Sequence, residues 1–122
     1  MLAGDARVHD DVVRRLVAAC RTGEVNAIRT VLDPAVVAVC DGGDRVPAPT
    51  GPVRGAVRVA RLLGDLLPGT EPTIGSVNGC AGLVIRRAGT AVAVIAVGCA
   101  GERATTLWVV LNPAKLRPWH RR

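Results

Sequence analysis

A chain of 122 residues suits one compact domain with one core, and 49% hydrophobic against 21% charged residues excludes a disordered polypeptide. Two tryptophans stand without any Phe or Tyr, so the core is aliphatic and no aromatic platform exists for stacking nucleic-acid bases. The net charge of +6 comes from 15 arginines and one lysine against ten acids, and it makes nucleic acid a partner to weigh.

The basic residues are scattered, as Arg14/Arg15, Arg58/Arg61, Arg86/Arg87, and Arg117 with Arg121/Arg122 in the tail. No helix carries a continuous basic stripe, which argues against direct nucleic-acid binding. Cys20, Cys40, Cys80 and Cys99 lie about twenty or more residues apart in apolar surroundings, without CxxC or Cys/His spacing for zinc. The start, "MLAGDARVHDD", is too polar for a signal peptide. The longest apolar run, 91–100, is strand length and far short of the ~20 residues that span a bilayer. These features predict a cytoplasmic protein with reduced core cysteines, no metal, no organic cofactor and no membrane association.

In chain order, Asp10 and Asp11 precede Val12, Val13, Leu16, Val17 and Cys20, a spacing that predicts a helix with one apolar face and acids at its N-terminal end. Gly23 stops it. A second short helix is predicted from Glu24 to Leu32, ended by Asp33-Pro34. The β-branched run Val36 to Cys40 reads as a strand terminated by Asp41-Gly42-Gly43-Asp44, and "RVPAPTGPVRG" is at most an edge strand. Gly55 opens a third helix with Val59, Leu62, Leu63, Leu66 and Leu67 inward and Arg58, Arg61 and Asp65 outward, broken by Pro68-Gly69. Strands follow over 71–77, 80–86, 91–100 and 104–111, linked by turns at Asn78-Gly79, Ala88-Gly89 and Gly101-Glu102. Pro113 ends the last of them.

Helices grouped ahead of an antiparallel meander predict an α+β domain with helices on one face of a curved sheet. The segments "AVAVIAVGCA" and "LWVVL" do not alternate apolar and polar residues, so both faces of their strands are covered. With helices on one face, the other is left for a partner chain, and a homodimer is the simplest one.

The arrangement resembles the nuclear-transport-factor-2-like cone fold, also called SnoaL-like. It is most like the SnoaL-like C-terminal domain of a group of extracytoplasmic-function sigma factors. The stretches that carry the likeness are Asp41-Gly42-Gly43-Asp44-Arg45, "GPVRGAVRVARLL" (51–63), "SVNGCAGLVIR" (76–86) and "LNPAKL" (111–116), and with the element order around them the likeness covers nearly the whole chain. Asp44 stands where those domains carry a third glycine, and the promoter-reading sigma domains are not among these residues. The resemblance implies a cone-shaped α+β barrel, with three N-terminal helices on a curved, mostly antiparallel sheet and a mostly apolar cavity between them. The whole of 1–122 then forms a single SnoaL-like domain.

The same fold houses ketosteroid isomerase, polyketide cyclases and limonene-epoxide hydrolase. By that likeness Asp41 falls where isomerase-like members carry their general base. The hydrogen-bond donors that stabilise their enolate fall at Leu16 and Ala96, which cannot donate, and one lost donor typically costs about 3–4 kcal/mol. The alternative for Asp41 is a turn residue capping the amides of Gly42 and Gly43. Asp44-Arg45 reads as a solvated turn pair. The residues expected to line the cavity are Leu16, Val94, Ala96, Val109 and Leu111. Trp108, Val110 and Asn112 share one strand face and Leu107, Val109 and Leu111 the other. The resemblance turns the Leu107 set inward and leaves Trp108 and Val110 for an interface. His9 and His120 read as surface residues, and Lys115 and Arg117 as candidates for contact with a protein partner.

Two functions follow. One is a regulatory or ligand-binding module that holds a small apolar molecule in its cone as a homodimer. The other is a small cofactor-free isomerase, cyclase or hydrolase with Asp41 as general acid or base.

Overall fold

A computed structural model describes residues 3–43 and 48–120; the Asp44-Arg45 pair and the terminal Arg121/Arg122 lie outside the described residues. Helix α1 (Ala3–Thr22) is followed by α2 (Val25–Val31), β1 (Leu32–Asp41), β2 (Val53–Arg54) and α3 (Ala56–Leu66). The meander comprises β3 (Glu71–Val77), β4 (Cys80–Arg87), β5 (Thr90–Ala100) and β6 (Arg103–Val110), and the chain closes with α4 (Pro113–Leu116) and a 3-10 turn, Arg117–Trp119.

Helix α1 begins well before Asp10. The apolar stripe of Val12, Val13, Leu16, Val17 and Cys20 extends back one turn to His9, and all six residues are buried. Asp10 and Asp11 are therefore exposed mid-helix residues, and Asp11 pairs with Arg15 one turn on at 3.5 Å. Gly23, at φ +70°, ends the helix with its N–H on the Cys20 carbonyl.

Helix α2 is shorter than its sequence pattern, because Leu32 already opens β1. Pro34 is tolerated inside that strand because the register with β6 is interrupted between Leu32 and Val37, where no ladder bond needs its missing N–H.

The six strands lie in the order β2-β1-β6-β5-β4-β3 in a curved, unclosed sheet. Only β1 and β6 run parallel; every other neighbouring pair is antiparallel. The turns at Asn78-Gly79 and Ala88-Gly89 have positive φ at both residues, the geometry that closes two-residue hairpins with the native strand twist.

Each face of the sheet has its own core. On the inner face Leu83, Ile85, Ile95 and Leu107 pack against Val12, Leu16, Ile28, Val59 and Leu63 of the helices. On the outer face Val77, Val84, Ala91 and Val94 pack with Leu116, and Trp119 lies against them. This outer cover corrects the sequence reading in two respects. "LNPAKL" does not simply end a strand. Asn112 caps α4 by accepting the Ala114 N–H at 3.1 Å, and Pro113 occupies the first turn, where its missing N–H costs nothing. The cover over β4 and the start of β5 is thus the chain's own C-terminal segment, not a second subunit.

The two faces meet tightly at Gly82. A Cβ there would lie 2.6 Å from the Ile95 carbonyl oxygen and 2.7 Å from Val77 Cγ2. Gly82→Ala is expected to cost about 1–3 kcal/mol by overpacking, read from the urea unfolding midpoint, because a backbone oxygen cannot swing aside as a side chain could.

Candidate functional site

Asp41 ends β1 on the outer face, in register with Val110 on β6. Its carboxylate accepts the Gly43 N–H at 3.2 Å through one oxygen and meets Lys115 Nζ at 2.6 Å through the other. Its own carbonyl accepts the Leu111 N–H at 2.7 Å. Gly43, at φ +63°, lies so close to the Asn112 side chain that a Cβ would fall 2.8 Å from it. The "DGG" and "NPAK" segments therefore form one joint. The Lys115 hydrogen bond holds the Asp41 carboxyl below the ordinary value, partial desolvation opposes it, and the Gly43 amide adds to the lowering.

The residues expected to line the cavity do not converge. Leu16 and Val109 are closed into the inner core, 0% and 1% exposed. Val94 and Ala96 point the other way, because Val94 registers with Val110, and Ala96 with Trp108, on the outer face. Strand side chains alternate, so the side chains that face the helices between them are Ala93, Ile95 and Val97. Ala96 is accordingly not the inward counterpart of an isomerase donor. Leu111 and Ala96 each line an opening, but not the same one: Ala96 borders an outer-face hollow beside Trp108, and Leu111 a recess at the end of the sheet.

The Leu111 recess, of about 400 Å³, lies where the end of β6, the start of β5, α3 and α4 meet. Leu66, Val92, Leu111, Pro113 and Leu116 form its apolar walls. Asp65, Arg87 and His120 give it a polar rim. Arg87 is anchored by donating to the Pro68 carbonyl at 3.1 Å, and His120 Nδ1 accepts the Ala91 N–H at 2.8 Å. His120 is exposed, yet that bond holds its ring in place. These rim residues carry no local sequence signal, since they are brought together from three separate segments.

Trp108 faces outward and is 50% exposed, beside Val39 at 41% on the neighbouring strand. Val110 is half-buried against the outer cluster.

Two sequence readings are corrected by burial. His9 is 6% exposed, and its Nε2 donates to the Ala81 carbonyl at 2.9 Å, leaving Nδ1 to accept from the Cys99 thiol at 3.6 Å. Extending the helical period back from Val12 would have found it. The cysteines are all free, but Cys80 is exposed and only Cys20 is fully buried, where burial pushes its thiol up to about 12. Among the described residues no group of three or more His, Cys, Asp or Glu side chains is placed to hold a metal ion, and no helix is long and apolar enough to cross a membrane.

Because the folded Asp41 carboxyl binds protons more weakly than the unfolded one, its contribution to stability is present above the unfolded value near 3.9 and is lost as pH falls through the folded value. Asp41→Asn and Lys115→Met should therefore lower the urea midpoint equally at pH 7. Their deficit should shrink as the pH falls below that unfolded value; a deficit that stayed constant through the acid range would show that the ion pair is not its origin.

No protein-family model matches the chain, and no curated protein matches it. Solved structures do. The crystal structure of the extracytoplasmic function sigma factor SigJ from Mycobacterium tuberculosis is similar at 25% identity and a TM-score of 0.66 over 88% of this chain. The chain spans only 43% of that protein. Bal32a, from a soil-derived mobile gene cassette, aligns at 15% identity and a TM-score of 0.63 over 96% of this chain and 99% of its own. An epoxide hydrolase from M. tuberculosis aligns at 14% identity and 0.60 over 95% and 91%. Helices on the inner face of a six-stranded, mostly antiparallel curved sheet, together with these likenesses, give the chain the nuclear-transport-factor-2-like, or SnoaL-like, α+β cone fold.

Proposed function

We propose that the chain is a non-catalytic SnoaL-like module that binds a small apolar molecule at the open end of its cone, in a regulatory role. The observation that carries this reading is the recess walled by Leu66, Val92, Leu111, Pro113 and Leu116, whose ~400 Å³ is within the usual size of a small-molecule site. The likeness to SigJ, in which a domain of this size is less than half of the protein, supports a regulatory role over a self-contained enzyme.

The enzyme reading required Asp41 in a closed cavity, holding its proton more tightly than an ordinary carboxyl. Asp41 instead sits on the outer face in a turn, and Lys115 draws its proton affinity down. Nothing in its surroundings favours a role as general base.

A thermal-shift screen of small apolar compounds tests the reading. A ligand at about 100 times its Kd adds about 2.7 kcal/mol to stability, and Val92→Trp, which fills the recess, should abolish that gain while Asp41→Asn leaves it. Stabilisation lost in Asp41→Asn and kept in Val92→Trp would overturn it.

The same module is proposed to pair with a second copy through the patch around Trp108 and Val39, which Ala96 extends across β5. Burying an exposed Trp at the centre of a sheet face is a common source of interface energy. Light scattering at micromolar concentration should give twice the chain mass, and Trp108→Lys should give the single mass with an unchanged circular dichroism spectrum. A monomeric parent protein would exclude this interface.

A further inference from the structure

A second concavity lies at the other end of β6, a strand length of ~25 Å from the recess. It is a groove of about 590 Å³ walled by Arg29 of α2, Arg54 of β2, Arg58 of α3 and Arg103 of β6. Among the described residues no carboxylate lines it. All four arginines are exposed, and among the described residues none of them has a hydrogen-bond or ion-pair partner. Arg21, Arg86 and Arg87, by contrast, are each held by a backbone carbonyl.

Fold stability does not account for this convergence. Four guanidiniums facing one concavity repel one another, and their pKa keeps all of them charged. Arg58 stands in the first turn of α3, which contains no acid, so it faces the positive end of the helix dipole, where a cation is unfavourable. Only Arg29, in the last turn of α2, sits where its own helix favours it. An anion in the groove would reverse the sign of these terms.

The lining also bears on the kind of anion. Guanidinium forks match the oxygens of phosphate in pairs, and four of them call for more than one negative group. Apart from Thr30, whose hydroxyl donates to the Ala27 carbonyl, the remaining wall is apolar and small, formed by Leu32, Pro34, Gly55, Ala56 and the 43%-exposed Val57, and suits a short organic portion. No aromatic side chain is present to stack bases, and the arginines form one concave cluster, not a stripe that could follow a nucleic-acid backbone. We propose that this groove binds a small organic phosphate carrying at least two phosphate groups, at a site separate from the apolar recess.

Calorimetric titration with inorganic tripolyphosphate at about 150 mM salt, where exposed charges are largely screened beyond ~8 Å, tests the assignment. Saturable binding of one tripolyphosphate per chain is expected. The double variants Arg54→Gln/Arg58→Gln and Arg29→Gln/Arg103→Gln should each weaken it at least tenfold, with unfolding midpoints no lower than that of the parent. Arg14→Gln/Arg61→Gln, outside the groove, should bind as the parent does. Absence of saturable binding, or equal weakening by the Arg14/Arg61 variant, would overturn the proposal. So would tighter binding of citrate, an acidic peptide or a 20-nucleotide DNA that depends on the same four arginines, since each would assign the groove to another partner.

Discussion

The parallel pairing of β1 with β6 is the constraint on which the architecture depends. It joins Leu32 to Ala104 and Asp41 to Val110, residues about seventy positions apart, and so ties the helical first half of the chain to the meander of the second. Parallel neighbours cannot be joined by a tight turn, and here the crossover between them consists of β2, α3 and three strands. The pairing is finished off at one end by the contacts among Asp41, Gly43, Leu111, Asn112 and Lys115. The exit from β1 and the entry into α4 share these bonds, so neither turn is shaped independently of the other.

From that pairing follows the division of the sheet into two unequal faces. The inner face is sealed by α1, α2 and α3 over Leu83, Ile85, Ile95 and Leu107. The outer face is sealed only over the β3–β5 side, where Leu116 and Trp119 rest on Val77, Val84 and Val94. On the β1–β6 side the same face remains open, and Val39 and Trp108 are exposed there. A C-terminal segment of a few residues therefore decides which part of an apolar sheet is core and which is surface.

The charges are distributed as unevenly as the apolar groups. Asp11 and Asp33 are engaged within their own segments, with Arg15 and the Ala35 N–H, whereas Asp41 is engaged by Lys115 from the far end of the chain. Asp65 lines the recess at one end of β6. The groove at the opposite end gathers four arginines and no acid, so the net charge of +6 is concentrated there more than an even spread would have it. Charge and apolar surface thus mark two different ends of the molecule.

Much of the framework was legible along the chain. Strand β3 and the hairpin turns at Asn78-Gly79 and Ala88-Gly89 follow from local alternation and from Asn78, Gly79 and Gly89, which accept positive φ, while Ala88 is held at φ +51° by the hairpin it closes. The lack of alternation in "AVAVIAVGCA" implied that both of its faces are covered, which holds for 91–95. Beyond that Ala96 and Gly98 are only half-buried, and in "LWVVL" Trp108 is 50% exposed, because the outer cover does not reach that part of the sheet. What covers the outer face was not legible, since that depends on Leu116 and Trp119 folding back across the sheet. The start of α1 and the burial of His9 were legible in principle from the 3.6-residue period, but the two acids at Asp10 and Asp11 imitate a helix start.

The α+β class, the helix and strand periods and the apolar composition of the core can be read along the chain, because these depend on neighbours within a few residues. That Val94 and Ala96 face away from the helices, and that Asp41 is bonded to Lys115 from the other end of the chain, emerges only in the folded molecule. The same holds for the four arginines around one groove. Each of these depends on register between distant strands, where a shift of one residue sends a side chain to the opposite face.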